Sequence, residues 1–235
     1  MKQADSKDKL TASPEDYAFA VFNLAGNWVT RVAHDTKKMF LDMRTSRIVM
    51  NHLWSAVTGQ MNKEDLRLEF TLMIPFLAVA SIDIQANQAL QSSHTSIIDR
   101  MLGLFYWHFP RRFKSTLDIP WFVRDVQERD VVLNELKQSG DQPPSSISVL
   151  DMAKLLLLRR FNEYRSLYAN DLQRMTQQGF IASMPKRVYD HLSGVDEKNF
   201  TSLKFSVLMW AAVTSFSDSL SKKIMSRVEI VADQK

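Results

Sequence analysis

The sequence predicts an all-α fold, a single bundle of about seven to nine helices, and three observations carry that prediction. Apolar side chains recur at three- and four-residue spacing along most of the chain, the repeat that lines up one face of an α-helix. Only 6 glycines and 7 prolines interrupt 235 residues, too few to turn the chain between many short strands. Residues that start and stop helices stand at the ends of the periodic stretches.

Residues 1–12 read as a polar, flexible tail, and 13–230 as the helical bundle. Ser13 is placed to N-cap, Pro14 suits the first helical position, and Glu15 and Asp16 complement the positive helix end. Tyr17, Val21, Leu24, Trp28 and Val32 form the stripe behind them, and a second stripe runs from Phe40 through Met50 and Trp54 to Val57. A helix over 14–58 would be unusually long, so a break is expected near Ala33–Lys37, with Gly59 as a stop. Asn62 opens the next helix. From Leu72 to Ala80 every residue is apolar, the mark of a central helix buried all round. Pro75 should kink that helix or mark its boundary. Helix is expected to about Gln91, then a turn at Ser92–Ser93 and a restart at Thr95 or Ser96 that stops before Pro110.

Residues 111–120 read as a connection, and 120–138 as a helix capped by Asp118. DQPPSS at 141–146 is the clearest linker, and 141–147 is where the domain could subdivide. Both flanking halves carry wide apolar faces and neither looks complete alone, which favours one bundle. Ser148 with Asp151 opens a helix whose stripe runs through Leu150, Leu157, Phe161, Tyr164 and Tyr168 toward Gly179. A short helix over Pro185–Leu192 is stopped by Gly194. Asp196 can cap a last helix through Leu203, Val207, Trp210, Val213 and Phe216 toward Ile224 and Val228. Strand could compete only over Phe113–Val126 and Val228–Val231, where β-branched or aromatic residues gather.

Composition excludes several functions. With no cysteine there are no disulfides, no thiolate chemistry and no cysteine-based zinc site. A net charge of +4 permits acidic partners without demanding nucleic acid. The start of the chain lacks an apolar leader segment, and neither Leu72–Ala80 nor Val207–Val213 reaches the roughly 18–20 apolar residues of a membrane span. No transmembrane segment and a cytoplasmic location are therefore expected.

Chemical motifs are scarce. None of His34, His52, His94, His108 and His191 follows a glutamate by three residues or pairs with another histidine at four, so no metal site is expected. There is no Gly-x-Ser-x-Gly and no glycine-rich phosphate loop, so no catalytic residue and no cofactor is assigned. His34 on the first helix supplies one alternative, because a haem-oxygenase-like protein would present its iron ligand that way. Asp125, Glu128 and Asp130 alternate with Arg124 and Arg129 and read as a solvated, salt-bridged face.

One segment stands out, FYWHFPRRFKSTLDIPWFVR at 105–124. It holds seven aromatics and four cations against one acid. Aromatic and arginine side chains are those enriched at interface hot spots. Partner-binding candidates are Trp107, Phe109, Arg111, Arg112, Phe113, Lys114, Trp121 and Arg124. The same pattern could stack bases, seat the segment on an anionic membrane surface, or simply anchor a helix corner. The 12 methionines mostly fall on apolar stripes and read as core. The expected function is a non-enzymatic helical adaptor or scaffold subunit of a larger assembly, for example a bacterial secretion or coupling complex, with other protein subunits as partners. A helical cofactor binder and a nucleic-acid or membrane-surface binder are the alternatives.

Overall fold

A computed structural model describes residues 10–41, 63–109, 112, 123–138, 148–193 and 200–230. Among them are seven α-helices: α1 Pro14–Leu41, α2 Lys63–Ala86, α3 His94–His108, α4 Val126–Gln138, α5 Val149–Arg174, α6 Ser183–Ser193 and α7 Phe200–Leu220. A 3₁₀ turn at Gln88–Leu90 joins α2 to α3, and a π turn at Ser221–Met225 ends α7. Two three-residue strands, β1 Leu10–Ala12 and β2 Val228–Ile230, pair in parallel with Leu10 opposite Val228. The fold is therefore an all-α bundle. Its small strand pair brings the start of α1 beside the end of the last helical segment.

α2 is the axis. Every residue from Phe70 to Ser81 is buried, and α2 packs against α1, α3, α5, α6 and α7. A helix covered on all sides can afford apolar residues all round, as the sequence anticipates. Leu66–Ala86 is long and apolar enough to cross a membrane by length and composition. However, most of that segment is buried among other helices, so protein covers it. α2 runs continuously through Pro75, which cannot donate to the carbonyl of Thr71 one turn earlier.

α1 lays Tyr17, Val21, Ala25, Val29 and Val32 against this axis. Its start is the predicted cap: the Ser13 hydroxyl donates to the Asp16 carboxylate at 2.7 Å and accepts from the Asp16 amide at 3.2 Å. The expected break near Ala33–Lys37 does not occur. Val32, Ala33 and Thr36 are buried, and packing holds α1 helical to Leu41. The second stripe beyond Phe40, the helix start at Asn62 and the linker at 141–147 lie outside the described residues. Side chains from both sides of that linker belong to one apolar cluster.

Several boundaries differ from the sequence reading; α2 ends at Ala86 rather than about Gln91 and α3 starts at His94 rather than Thr95 or Ser96, and three larger differences have a visible cause. Leu10–Ala12, placed in the tail, form β1 because β2 supplies a hydrogen-bonding partner; the Leu10 amide also donates to the Arg227 carbonyl at 3.0 Å. α4 starts at Val126 rather than Pro120, and its cap is Asp125, whose carboxylate accepts from the Glu128 amide at 2.9 Å. α5 ends at Arg174, before Gly179, whose positive φ of 73° closes the turn into α6. The Ser148–Asp151 cap of α5 forms as read, with its hydroxyl 2.6 Å from the Asp151 carboxylate.

Candidate functional site

The aromatic–basic segment divides when folded. Phe105 and Phe109 are buried, packing on each other at 4.7 Å between centroids and on Phe70 of α2 at 4.8 and 5.9 Å. Phe109, assigned above to partner binding, is thus a core anchor. It sits one helical turn after Phe105, on the inner face of α3. Arg112 donates to Glu69 of α2 at 3.4 Å and lies 6.0 Å from the Phe109 ring centroid, so it closes the corner. Trp107 points the other way and is 61% exposed at the end of α3. Arg124 is exposed just before α4. Arg111, Phe113, Lys114 and Trp121 lie outside the described residues.

Among the described residues the densest polar chemistry lies elsewhere, in a cluster between α2, α4, α5 and α6 whose centre is sealed from solvent. Arg160 of α5 is fully buried. It donates to the Glu128 carboxylate of α4 at 2.7, 3.0 and 3.2 Å and to the Thr71 hydroxyl of α2 at 3.1 Å. Burial opposes the Arg160 charge, and the adjacent Glu128 carboxylate more than restores it, so the guanidinium stays protonated. His191 of α6 is also fully buried. Its Nδ1 lies 2.5 Å from the Tyr164 hydroxyl, and its Nε2 faces Glu128 and Glu163 at 3.7 and 3.8 Å. Two carboxylates on that side favour the proton on Nε2, so Tyr164 donates to Nδ1. Burial, then the charges of Arg160, Arg187 and Arg159, hold His191 well below its ordinary value and keep it neutral. Burial also pushes the Tyr164 phenol far up. Arg187 of α6 completes the cluster, donating to Glu163 at 2.6 Å and Asp125 at 3.2 Å.

Glu128 corrects the reading of 124–130 as a solvated face. Arg129 and Asp130 do face water, 3.7 Å apart. Glu128, however, lies four and eight residues before the buried Val132 and Leu136, and so shares their face. Arg160 likewise falls between the buried Leu156 and Tyr164 at four-residue spacing. A charge standing on an apolar stripe was the available signal for both.

The cluster's work is to hold α6. Asp171 of α5 accepts from the Ser183 and Met184 amides at 2.9 and 2.8 Å, capping the N-terminus of α6 from another helix. Arg67 of α2 donates to the His191 and Leu192 carbonyls at the other end. An anion at the N-terminus and a cation at the C-terminus match the helix dipole at both ends. Replacing Asp171 by Ala is expected to cost about 2 kcal/mol, because two amides lose a charged acceptor. Hydrogen exchange at Ser183 and Met184 reports it, and unchanged protection there would refute the cap.

A second polar layer joins α1, α2, α5 and α7. The Ser217 hydroxyl hydrogen-bonds Asp83, and Tyr168 hydrogen-bonds Ser217. One Asp83 carboxylate oxygen and the Tyr17 hydroxyl are buried without a hydrogen-bond partner. Burial pushes the Asp83 carboxyl up to about 6, with the Ser217 hydrogen bond opposing.

None of this resembles a reaction centre open to substrate, since His191, Arg160 and Glu128 are all sealed from solvent. His34 sits on the outer face of α1, its side chain 65% exposed and 3.4 Å from Asp35, whereas a haem ligand is screened by its pocket. Among the described residues no three His, Asp or Glu side chains are placed to share a metal ion. Set beside protein-family models, curated proteins and solved structures, the chain matches none of them.

Proposed function

We propose that the chain is a non-enzymatic helical adaptor or scaffold subunit of a larger protein assembly. One observation carries the reading: Trp107 stands 61% exposed at the end of a helix, while its neighbours Phe105 and Phe109 are buried in the core. An exposed tryptophan is the side chain of an interface anchor, because it brings a large apolar area at small conformational cost. The buried centre formed by Arg160, Glu128 and His191 supports the same reading, because all three are sealed from solvent. A phosphate or headgroup reading of this segment is less favoured, since Arg112 is ion-paired with Glu69.

The experiment is Trp107→Ala. Purified from its native host, the variant is expected to lose the subunits that accompany the wild-type chain. Its stability should stay within about 0.5 kcal/mol, as for other surface changes. Retention of those subunits, or a collapse of the thermal melt, would overturn the assignment.

A further inference from the structure

An open groove of about 530 Å³ runs between α2 and α5, lined by Ile82, Gln85, Asn162, Arg165, Ser166 and Ala169. It lacks an acid. Arg165 hydrogen-bonds the neutral amide of Gln85 and, among the described residues, has no carboxylate partner. The lining positions of α5 continue an exposed stripe that begins at Lys154 and passes Leu158, which is 41% exposed. At about 100° per residue, Lys154, Leu158, Asn162, Arg165, Ser166 and Ala169 share about a third of the helix circumference. The stripe is about 22 Å long, and its two cations are three turns, about 16 Å, apart. Lys154 rests 5.9 Å from the centroid of the Tyr106 ring and, among the described residues, has no carboxylate partner either. Asp151, one turn earlier, is committed to the α5 cap through Ser148.

We infer that this stripe receives an acidic amphipathic helix of a partner protein, with carboxylates eleven residues apart seated on Lys154 and Arg165 and an apolar side chain between them on Leu158. The inference rests on the adaptor reading and names the chemistry of the partner. The length of the stripe suits a helix, whose turns repeat at the spacing of the two cations. The openness of the groove suits a macromolecule, because a small ligand needs an enclosure that covers most of its surface. The missing acids decide the sign: two cations that no carboxylate among the described residues answers attract one from outside.

The test uses a library of helical peptides displayed on phage and selected on the full chain. Selected peptides should carry two acids eleven residues apart with an apolar residue between. Lys154→Glu and Arg165→Glu should each weaken them on the order of ten-fold, as reversing an exposed charge pair does. Peptides without that spacing, or binding indifferent to both reversals, would overturn the inference. So would a concentration-dependent dimer that Arg165→Glu dissolves, since it would seat a second copy on the stripe. The adaptor surface is judged separately. Trp107→Ala that spares the native complex removes that surface and leaves the peptide result standing, and the converse outcome removes the stripe alone.

Discussion

Replacing Arg160 by Met is expected to lower stability by about 3–5 kcal/mol, a large part of the roughly 5–15 kcal/mol available to a domain. The cause is the partner left behind more than the lost attraction. Glu128 is 5% exposed and takes three hydrogen bonds from Arg160. Without them, a buried carboxylate is left beside the neutral His191 at 3.7 Å, and must be desolvated or protonated. The Thr71 hydroxyl loses its donor as well. The double variant Glu128→Leu with Arg160→Met should recover most of the loss, because two apolar side chains of similar volume need no solvation. Urea denaturation of wild type, both single variants and the double completes the cycle. A single variant within 1 kcal/mol of wild type would mean that water reaches Glu128, and the sealed cluster would not exist.

Asp83→Asn is expected to stabilise the protein near pH 7.5, by up to ~3 kcal/mol, and to change how stability depends on pH. The Asp83 carboxyl rises from its ordinary 3.8 to about 6 because it is buried. Between those values the folded chain holds a proton that the unfolded chain has released. Stability from that proton is complete below 3.8 and is lost as pH rises through about 6. His191 acts with the opposite sign. Its folded imidazole refuses a proton that the unfolded chain takes below 6.5, so its contribution is lost as pH falls. In acid the two partly offset each other. Asparagine keeps an acceptor for Ser217 without the charge. The variant should therefore show a steeper acid loss, carried by His191, and a higher plateau above pH 7. Thermal melts from pH 4.5 to 8 check this. Parallel curves for the two proteins would mean that Asp83 is solvated.

Much of the bundle was legible because periodicity and capping are local. The Ser13–Asp16 and Ser148–Asp151 caps use neighbours three residues apart, so the sequence names both partners. Leu72–Ala80 announces its burial by composition alone. The run Val228–Val231 was singled out as able to form a strand, yet the strand needed Leu10–Ala12 from the other end of the chain, and Leu10 in a polar stretch gave no such sign. The segment 105–124 was visible as an anomaly, but composition cannot assign faces. Four residues separate Phe105 from Phe109, placing both inward, whereas Trp107 between them turns to water.

Local spacing of apolar and capping residues determined, by itself, that this chain is helical, where most helices begin, and that α2 lies at the centre. Tertiary structure alone decided the charges. Whether Glu128 is a surface acid or a buried partner of Arg160, and whether α6 is held by Asp171 and Arg67, depends on residues 12 to 125 positions away. Electrostatic and desolvation energies are set by what surrounds a group in space, and that surrounding exists only once the helices have packed.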